Sequence, residues 1–314
     1  MNNKDFKYRG LIVFMLSCFW FMQCVSETAS VSEVQFEGMT LPGATVLAFG
    51  PDNELFIGDS KSSKVYAIKT EASQLKDPVP YNFLDFDIKV AEALNIEPRD
   101  IVITDMKVHP VSQEAYVAVK RGHQPDAPSL IAIANPMSSE IRFLDVKKAM
   151  LGEVSVMNPA SDDLKFWREI PASSLTITDI DYNSGYLYVA GLSNGEFAST
   201  MRKIAYPFDG TQHSVKSIEI YHAVHVQNET RAPIRTMLFD EINGESTLIA
   251  SYTCTPLVVI PTADITNNSD VVGKTIAELG YGNAPIDMIN IMTQAPDGGY
   301  VKQLLITHKN RGGT

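Results

Sequence analysis

One strand–turn–strand unit recurs five times along this chain, and no other feature restricts its fold so narrowly. The clearest copies are "TVLAFGPDNELFIGDSKSSKVYAI" from Thr45, "TDMKVHPVSQEAYVAVKRG" from Thr104 and "TDIDYNSGYLYVAGLSNG" from Thr178. Two looser copies follow, "RTMLFDEINGESTLIASYTCTPLVVI" from Arg235 and "DMINIMTQAPDGGYVKQLLITHKNRG" from Asp287. In each, an apolar strand ends at Phe49, Val108, Tyr182, Phe239 or Ile291, and a polar turn follows. A second strand rich in β-branched and aromatic residues comes next, and two such strands around a Gly- or Asp-containing turn read as a hairpin. Third strands are visible as "KVYAI", "LIAI", "RKIAY" and "PLVVI". Fourth strands are expected at "NFLDF" (82–86), "EIRFLDV" (140–146), "SIEIYHAV" (217–224) and "TIAEL" (275–279).

Four antiparallel strands recurring at a spacing of roughly 50 to 75 residues specify an all-β protein, a β-propeller with one blade per repeat. One segment departs from the period. "DIKVAEALNIEP" (87–98) carries apolar residues at helical spacing and ends in Pro98, predicting a short helix between the first two blades. Two stretches read as surface loops, "SQLKDPVP" (73–80) and "NPASDDLKFWREIPAS" (158–173). The last copy stops after two strands, so the propeller over 27–314 is expected to be one domain that lacks strands at its C-terminal end, with six blades in an intact form. "EVQFEG" (33–38) is the expected closing strand, because an open sheet edge invites aggregation.

The blade "LAFGPDNELFIGD" resembles the NHL/YVTN and gluconolactonase-like propellers, where a strand, a G-P-D-G-type turn and a second strand recur. "TDMKVHPVSQEAYVAV", "AGLSNGEFAST", "ETRAPIRT" and "YTCTPLV" are similar to segments of exported bacterial propeller proteins that have no assigned activity. The resemblance implies the propeller fold over most of the chain after its first 26 residues. A gluconolactonase-like relative would imply a metal acting as Lewis acid on a lactone or ester.

The N-terminus reads as an address. Lys4, Lys7 and Arg9 precede an apolar run from Leu11 to Met22. That run is shorter than the roughly 20 residues needed to span a bilayer, which marks a secretory signal peptide, with cleavage expected after Ser26. A lipoprotein reading would acylate Cys24, although Gln23 before it is bulkier than such sites prefer. With Cys18 and Cys24 in this segment, only Cys254 remains in the folded body, so packing rather than a disulfide must stabilise it. The net charge of -11, with no cluster of Lys and Arg, argues against nucleic-acid binding.

Several residues invite a catalytic reading. Gly191-Leu192-Ser193-Asn194-Gly195 matches G-x-S-x-G, yet a nucleophile elbow is a strand-to-helix turn, and this one joins two strands of a blade. Ser193 is therefore expected to be a turn residue. His222 and His225 would point to opposite faces of a strand, and Cys254 has no histidine in its local segment.

The more coherent set comes from overlaying the repeats at the start of each innermost strand, where a propeller's central channel opens. Asp105, Asp179, Arg235 and Asp287 are expected to meet there in one ligand-binding pocket. Asp105 and Asp179 could supply oxygen ligands to a divalent cation such as calcium, although repeated Asp also serves to fix turns and neighbouring backbone. The combined reading is an exported propeller that binds a small molecule or a protein at its channel face. The alternative is a metal-dependent hydrolase of the gluconolactonase-like type.

Overall fold

A computed structural model describes residues 36, 38–71, 80, 83–124, 127–138, 140–166, 170–194, 199–214, 217–222, 226–229, 232–253, 256–280 and 283–309. The first unit of the chain is β1 (Ala44–Phe49), β2 (Leu55–Asp59) and β3 (Lys64–Ile68), followed by helix α1 (Phe86–Leu94). A second unit runs through β4 (Ile101–Val108), β5 (Ala115–Arg121), β6 (Ser129–Ala134) and β7 (Ile141–Phe143). After a single helical turn, α2 (Val146–Ala149), come β8 (Met150–Ser155) and a small hairpin, β9 (Lys165–Phe166) with β10 (Ile170–Pro171). The third unit is β11 (Asp179–Asn183), β12 (Tyr186–Leu192), β13 (Ser199–Ala205) and β14 (Gln212–Ser214). Strands β15 (Ser217–His222) and β16 (Gln227–Glu229) precede the fourth unit, β17 (Ile234–Ile242), β18 (Glu245–Tyr252), β19 (Pro256–Pro261) and β20 (Asp270–Glu278). The chain's last unit is β21 (Ala284–Gln294) with β22 (Tyr300–Lys309).

These units are the blades of a β-propeller. Consecutive strands pair antiparallel, and the turns carry the residues the geometry demands. Ser184-Gly185 and Asn243-Gly244 form two-residue hairpin loops with positive φ at both positions, where Gly and Asn are tolerated best. The interior lies between blades. One face of blade one packs on blade two through Leu47, Ile57, Tyr66, Tyr116 and Ile131. Its other face packs on blade three through Val46, Phe56, Ile180 and Val189. Blades three and four join through Tyr188, Met201, Met237 and Leu248, a cluster that also takes in Met288 of blade five. The innermost strands therefore neighbour one another in the order β4, β1, β11, β17, β21. The second blade of the sequence sits outside the first.

That order explains two corrections to the expected strands. "NFLDF" is not the fourth strand of blade one, because Phe86 already belongs to α1. The position is taken by β8, which returns after blade two to pair with β3 and places Glu153 2.5 Å from Lys64. "SIEIYHAV" does not complete blade three either. That edge is filled by β14, while β15 crosses to pair parallel with β20 and extends blade four to six strands. Ile218 and Ile220 are buried in the core between blades three and four, which fixes this choice.

Helix α1 stands where the period predicted it, but it stops before Pro98. Asn95 adopts the left-handed conformation at its C-terminus, and the amides of Asn95 and Ile96 bond back to the Glu92 and Ala91 carbonyls. Its buried face, Val90, Ala91 and Leu94, covers the outer side of blade two together with Phe36. Phe36 makes an edge-on contact with Phe143 of blade two, and most of the expected closing strand at 33–38 lies outside the described residues. Among the described residues no helix is long and apolar enough to cross a membrane. The expected signal segment and the loop at 73–79 lie outside the described residues.

Candidate functional site at the channel mouth

Four of the five innermost strands share one irregularity. The register shifts between Ala44 and Val46 in β1, Ile103 and Asp105 in β4, Ile234 and Thr236 in β17, and Pro285 and Asp287 in β21. Each shift is a bulge that skips one residue, namely Thr45, Thr104, Arg235 and Ile286, and re-aims the next side chain. Directly after the bulge stand Val46, Asp105, Thr236 and Asp287. Asp179 of β11 occupies the matching place, opposite Ala190 as Asp105 is opposite Ala118.

The three aspartates at this level are not equivalent. Asp105 accepts the amide of its own successor Met106 at 2.7 Å and the amide of Leu47 in blade one at 2.6 Å. Asp179, 5% exposed, does the same with Ile180 at 2.9 Å and Met237 of blade four at 2.7 Å. Both carboxylates reach the neighbouring blade at a strand that carries no aspartate after its bulge. They latch blades together. Asp287 accepts the Met288 amide with Oδ1, which also receives the Thr236 hydroxyl at 3.2 Å and the Lys107 ammonium at 3.4 Å. Among the described residues no hydrogen-bond donor to its Oδ2 is seen.

Lys107 ties the group together. It shares the blade-one side of β4 with Asp105, because Lys107 pairs with Tyr116 and Asp105 with Ala118. Burial alone would lower its pKa, but the charges of Asp105, Asp179 and Asp287 together raise it. The effect on its partners is opposed by desolvation. Burial raises the pKa of Asp105, and that of Asp179 well above the ordinary carboxylate value, against the pull of Lys107. Two residues further along β11, burial pushes Asp181 up to about 6. Arg235, the bulge residue of β17, exposes part of its side chain, while the protein packed around its guanidinium lowers its pKa and the charge of Asp179 opposes that shift.

The four residues singled out in the sequence therefore divide. Asp105, Asp179 and Asp287 converge electrostatically on Lys107, with Asp105 and Asp179 engaged by backbone amides. Arg235 and the free edge of Asp287 face outward. Nothing in the repeat pattern marks Lys107 as the centre of the cluster. Aligning the copies by their strand ends, Val108 and Ile291, sets Ile289 against Met106 and puts Asp287 in the opposite phase to Asp105. The observed register sets them otherwise: both strands bulge immediately before the aspartate, and Met288 is 3% exposed while Ile289 is 50% exposed, so Asp287 takes the same level as Asp105 and Asp179.

A divalent cation does not fit this arrangement. The oxygens of Asp105 and Asp179 are taken by amides, and an ammonium lies among the carboxylates. Among the described residues, no group of three or more His, Cys, Asp and Glu side chains is disposed to hold a metal ion.

Ser193 is a buried residue in an isolated bridge to Pro159, beneath the loop that carries β9 and β10. The preceding Gly191 has a steric purpose. A Cβ there would lie 2.0 Å from the Thr176 carbonyl oxygen, so only glycine lets the loop come this close. Ser193 thus belongs to a β-bridge rather than a turn, and the connection at 195–198 that follows it lies outside the described residues. His222 is buried 3.8 Å from Glu278. His225 and Cys254 lie outside the described residues.

No family profile matches the sequence, and no curated protein matches it. Solved structures to which the chain is similar include virginiamycin B lyase from Staphylococcus aureus, at 11% identity and a TM-score of 0.27 over 84% of this chain and 87% of that one. A putative oxidoreductase (glucose dehydrogenase) from Thermus thermophilus is similar at 9% identity and a TM-score of 0.30, covering 87% and 86%. A streptogramin B lyase is similar at 9% identity and a TM-score of 0.28, covering 83% of each chain.

Proposed function

We propose that the protein is exported and acts as a binding propeller, holding a small polar ligand or a protein side chain at the channel mouth through Arg235 and Asp287. One observation carries this reading. Asp105 and Asp179 are engaged inside the fold, whereas Arg235 and one edge of Asp287 remain open beside a cluster whose charge Lys107 partly balances. A guanidinium favours a carboxylate or phosphate, and a carboxylate favours an ammonium or hydroxyl. The two together suit an amino acid, a hydroxy acid or a sugar acid. The half-buried ammonium among the carboxylates favours binding over metal-dependent hydrolysis.

The test is thermal denaturation of the protein against a panel of amino acids, hydroxy acids and sugar acids. At least one is expected to raise Tm, and the rise is expected to vanish in Arg235→Ala and to weaken in Asp287→Asn. A ligand that stabilises both variants as well as the parent would place the site elsewhere. Export is read from the basic N-terminus and the apolar run behind it. Intact-mass measurement on protein from the cell envelope is expected to show loss of Met1 to about Ser26. A retained Met1 would end that reading, and a diacylglycerol on Cys24 would replace it with lipid anchoring.

A further inference from the structure

Two turns of blade two are capped in one pattern by different side chains. Between β6 and β7, Asn135 Oδ1 accepts the amides of Met137 at 2.8 Å and Ser138 at 3.2 Å. Between β4 and β5, His109 Nδ1 accepts the amides of Val111 and Ser112, both at 3.1 Å. An imidazole nitrogen that accepts two amides carries no proton, so the ring proton sits on Nε2. Nε2 donates to the Thr70 hydroxyl at 2.9 Å, and that hydroxyl donates to the Asn53 carbonyl. Thr70 follows β3, and Asn53 lies in the turn between β1 and β2. The ring thus clasps blade two to two segments of blade one. It is 0% exposed, edge-on to Phe49 at 5.0 Å between ring centres and 6.0 Å from Tyr116.

The carboxamide of Asn135 cannot take up a proton in this way, and the imidazole can. A proton on Nδ1 would set a donor against two donors. The charged neighbour in the same turn is Glu114, but both of its oxygens are already held by Arg142, at 2.7 and 3.0 Å, with the Ser112 hydroxyl at 3.2 Å. Tyr116 of β5 is pushed by burial to about 12, and Glu71, beside Thr70, acts on Tyr116 and Arg142. Burial lowers the pKa of His109 against the pull of Glu114.

We propose that His109 is an acid-released clasp. When Nδ1 takes up a proton, the turn at 109–114 opens and lets go of Thr70, while the other blades stay folded. The sign follows from linkage. The ring is neutral in the fold and titrates at about 6.5 in an unfolded chain, so the clasp is at full strength above that pH and weakens as pH falls below it.

Hydrogen exchange at pH 7.5 and pH 5.0, corrected for the intrinsic rate at each pH, tests the proposal. The Val111 and Ser112 amides are expected to lose protection about tenfold or more at pH 5.0, while the β17–β18 hairpin of blade four keeps its own. In His109→Asn, which restores the Asn135 pattern, protection is expected to be the same at both values. Ring nitrogen NMR of the parent protein, labelled at histidine, gives a measurement that does not depend on the variant. His109 is expected to be neutral with its proton on Nε2 at pH 7.5, and charged where protection is lost. Equal protection of the parent at both values would overturn the clasp, as would an equal loss in blade four. So would the same loss in His109→Asn, or a ring already charged at pH 7.5.

Discussion

Lys107 and Arg202 are cations whose surroundings could hardly differ more. Lys107 sits among three carboxylates at the channel mouth, where their charges raise its pKa. Arg202, on β13 of blade three, is 0% exposed and faces only backbone carbonyls. Its Nε donates to Met157 O at 2.6 Å, Nη1 to Thr176 O at 2.9 Å, and Nη2 to Asn158 O and Leu192 O at 3.0 and 2.9 Å. With no carboxylate to offset burial, its pKa falls to about 10. The first cation belongs to a network of charges that responds to pH. The second is a fixed peg that fastens the loop after β8, and the segment before β11, onto blade three. Fork geometry suits that task, because a guanidinium can satisfy several carbonyls at once and an ammonium cannot.

The largest effect is expected from removing the peg. Arg202→Met leaves four carbonyls short of a donor in a buried place, at a cost of about 3–5 kcal/mol. For a domain of this size that lowers Tm by about 10 °C. The loss is expected to be similar at pH 5 and pH 8, since no titrating partner faces Arg202. Thermal unfolding at both values checks it. A strongly pH-dependent loss would mean that Arg202 is coupled to charges after all, and the contrast with Lys107 would fail.

Removing the other cation gives the complementary signature. Lys107→Met exposes Asp105, Asp179 and Asp287 to one another without a counter-charge. The expected cost is about 2–3 kcal/mol near pH 7.5. The sign follows from linkage. Asp105 and Asp179 already have raised pKa values in the fold, so the folded form holds protons that the unfolded chain releases above about pH 4. Stability from these groups is retained at low pH and lost as pH rises. Without Lys107 the loss steepens, so variant and parent are expected to converge towards pH 4 and separate towards pH 8. Urea titrations across that range measure it, and a constant gap would count against the charge cluster.

These two residues also mark how far the sequence could be read. The hairpins were legible because strand alternation and turn residues are local signals: Asn243-Gly244 and Ser184-Gly185 announce their turns. The three aspartates were legible as a recurring feature of strand starts. The phase of Asp287 was not, because the apolar run of β21 reaches Ile291, one residue further past its bulge than Val108 lies past the bulge of β4, so matching strand ends sets Ile289 against Met106. The pairing of β8 with β3 and of β15 with β20 depends on contacts between distant segments that no period encodes. Arg202 gave no warning, since an arginine within a strand reads as a solvent-facing residue until its four carbonyl partners are seen.

The smallest expected effect is at Asp181 on β11. Its carboxylate accepts the Tyr182 amide at 2.8 Å and the Phe239 amide of blade four, repeating one step along the strand the latch that Asp179 makes to Met237. Burial raises its pKa to about 6, against an ordinary value of about 3.9 in the unfolded chain. Between those values the folded form binds more protons, so stability falls as pH rises from about 4 to 6 and stays lower above that. Asparagine has no such proton to lose and keeps one acceptor for the Tyr182 amide. Asp181→Asn is therefore expected to gain about 1–2 kcal/mol relative to the parent when both are moved from pH 4.5 to pH 7.5, whatever its absolute stability at either value. Comparing the two proteins at two pH values separates this gain from the loss of the Phe239 bond, which is the same at both. A difference that does not change with pH would show that Asp181 is ionised throughout, and would confine the pH response of the blade-three strand to Asp179 and its partner Lys107.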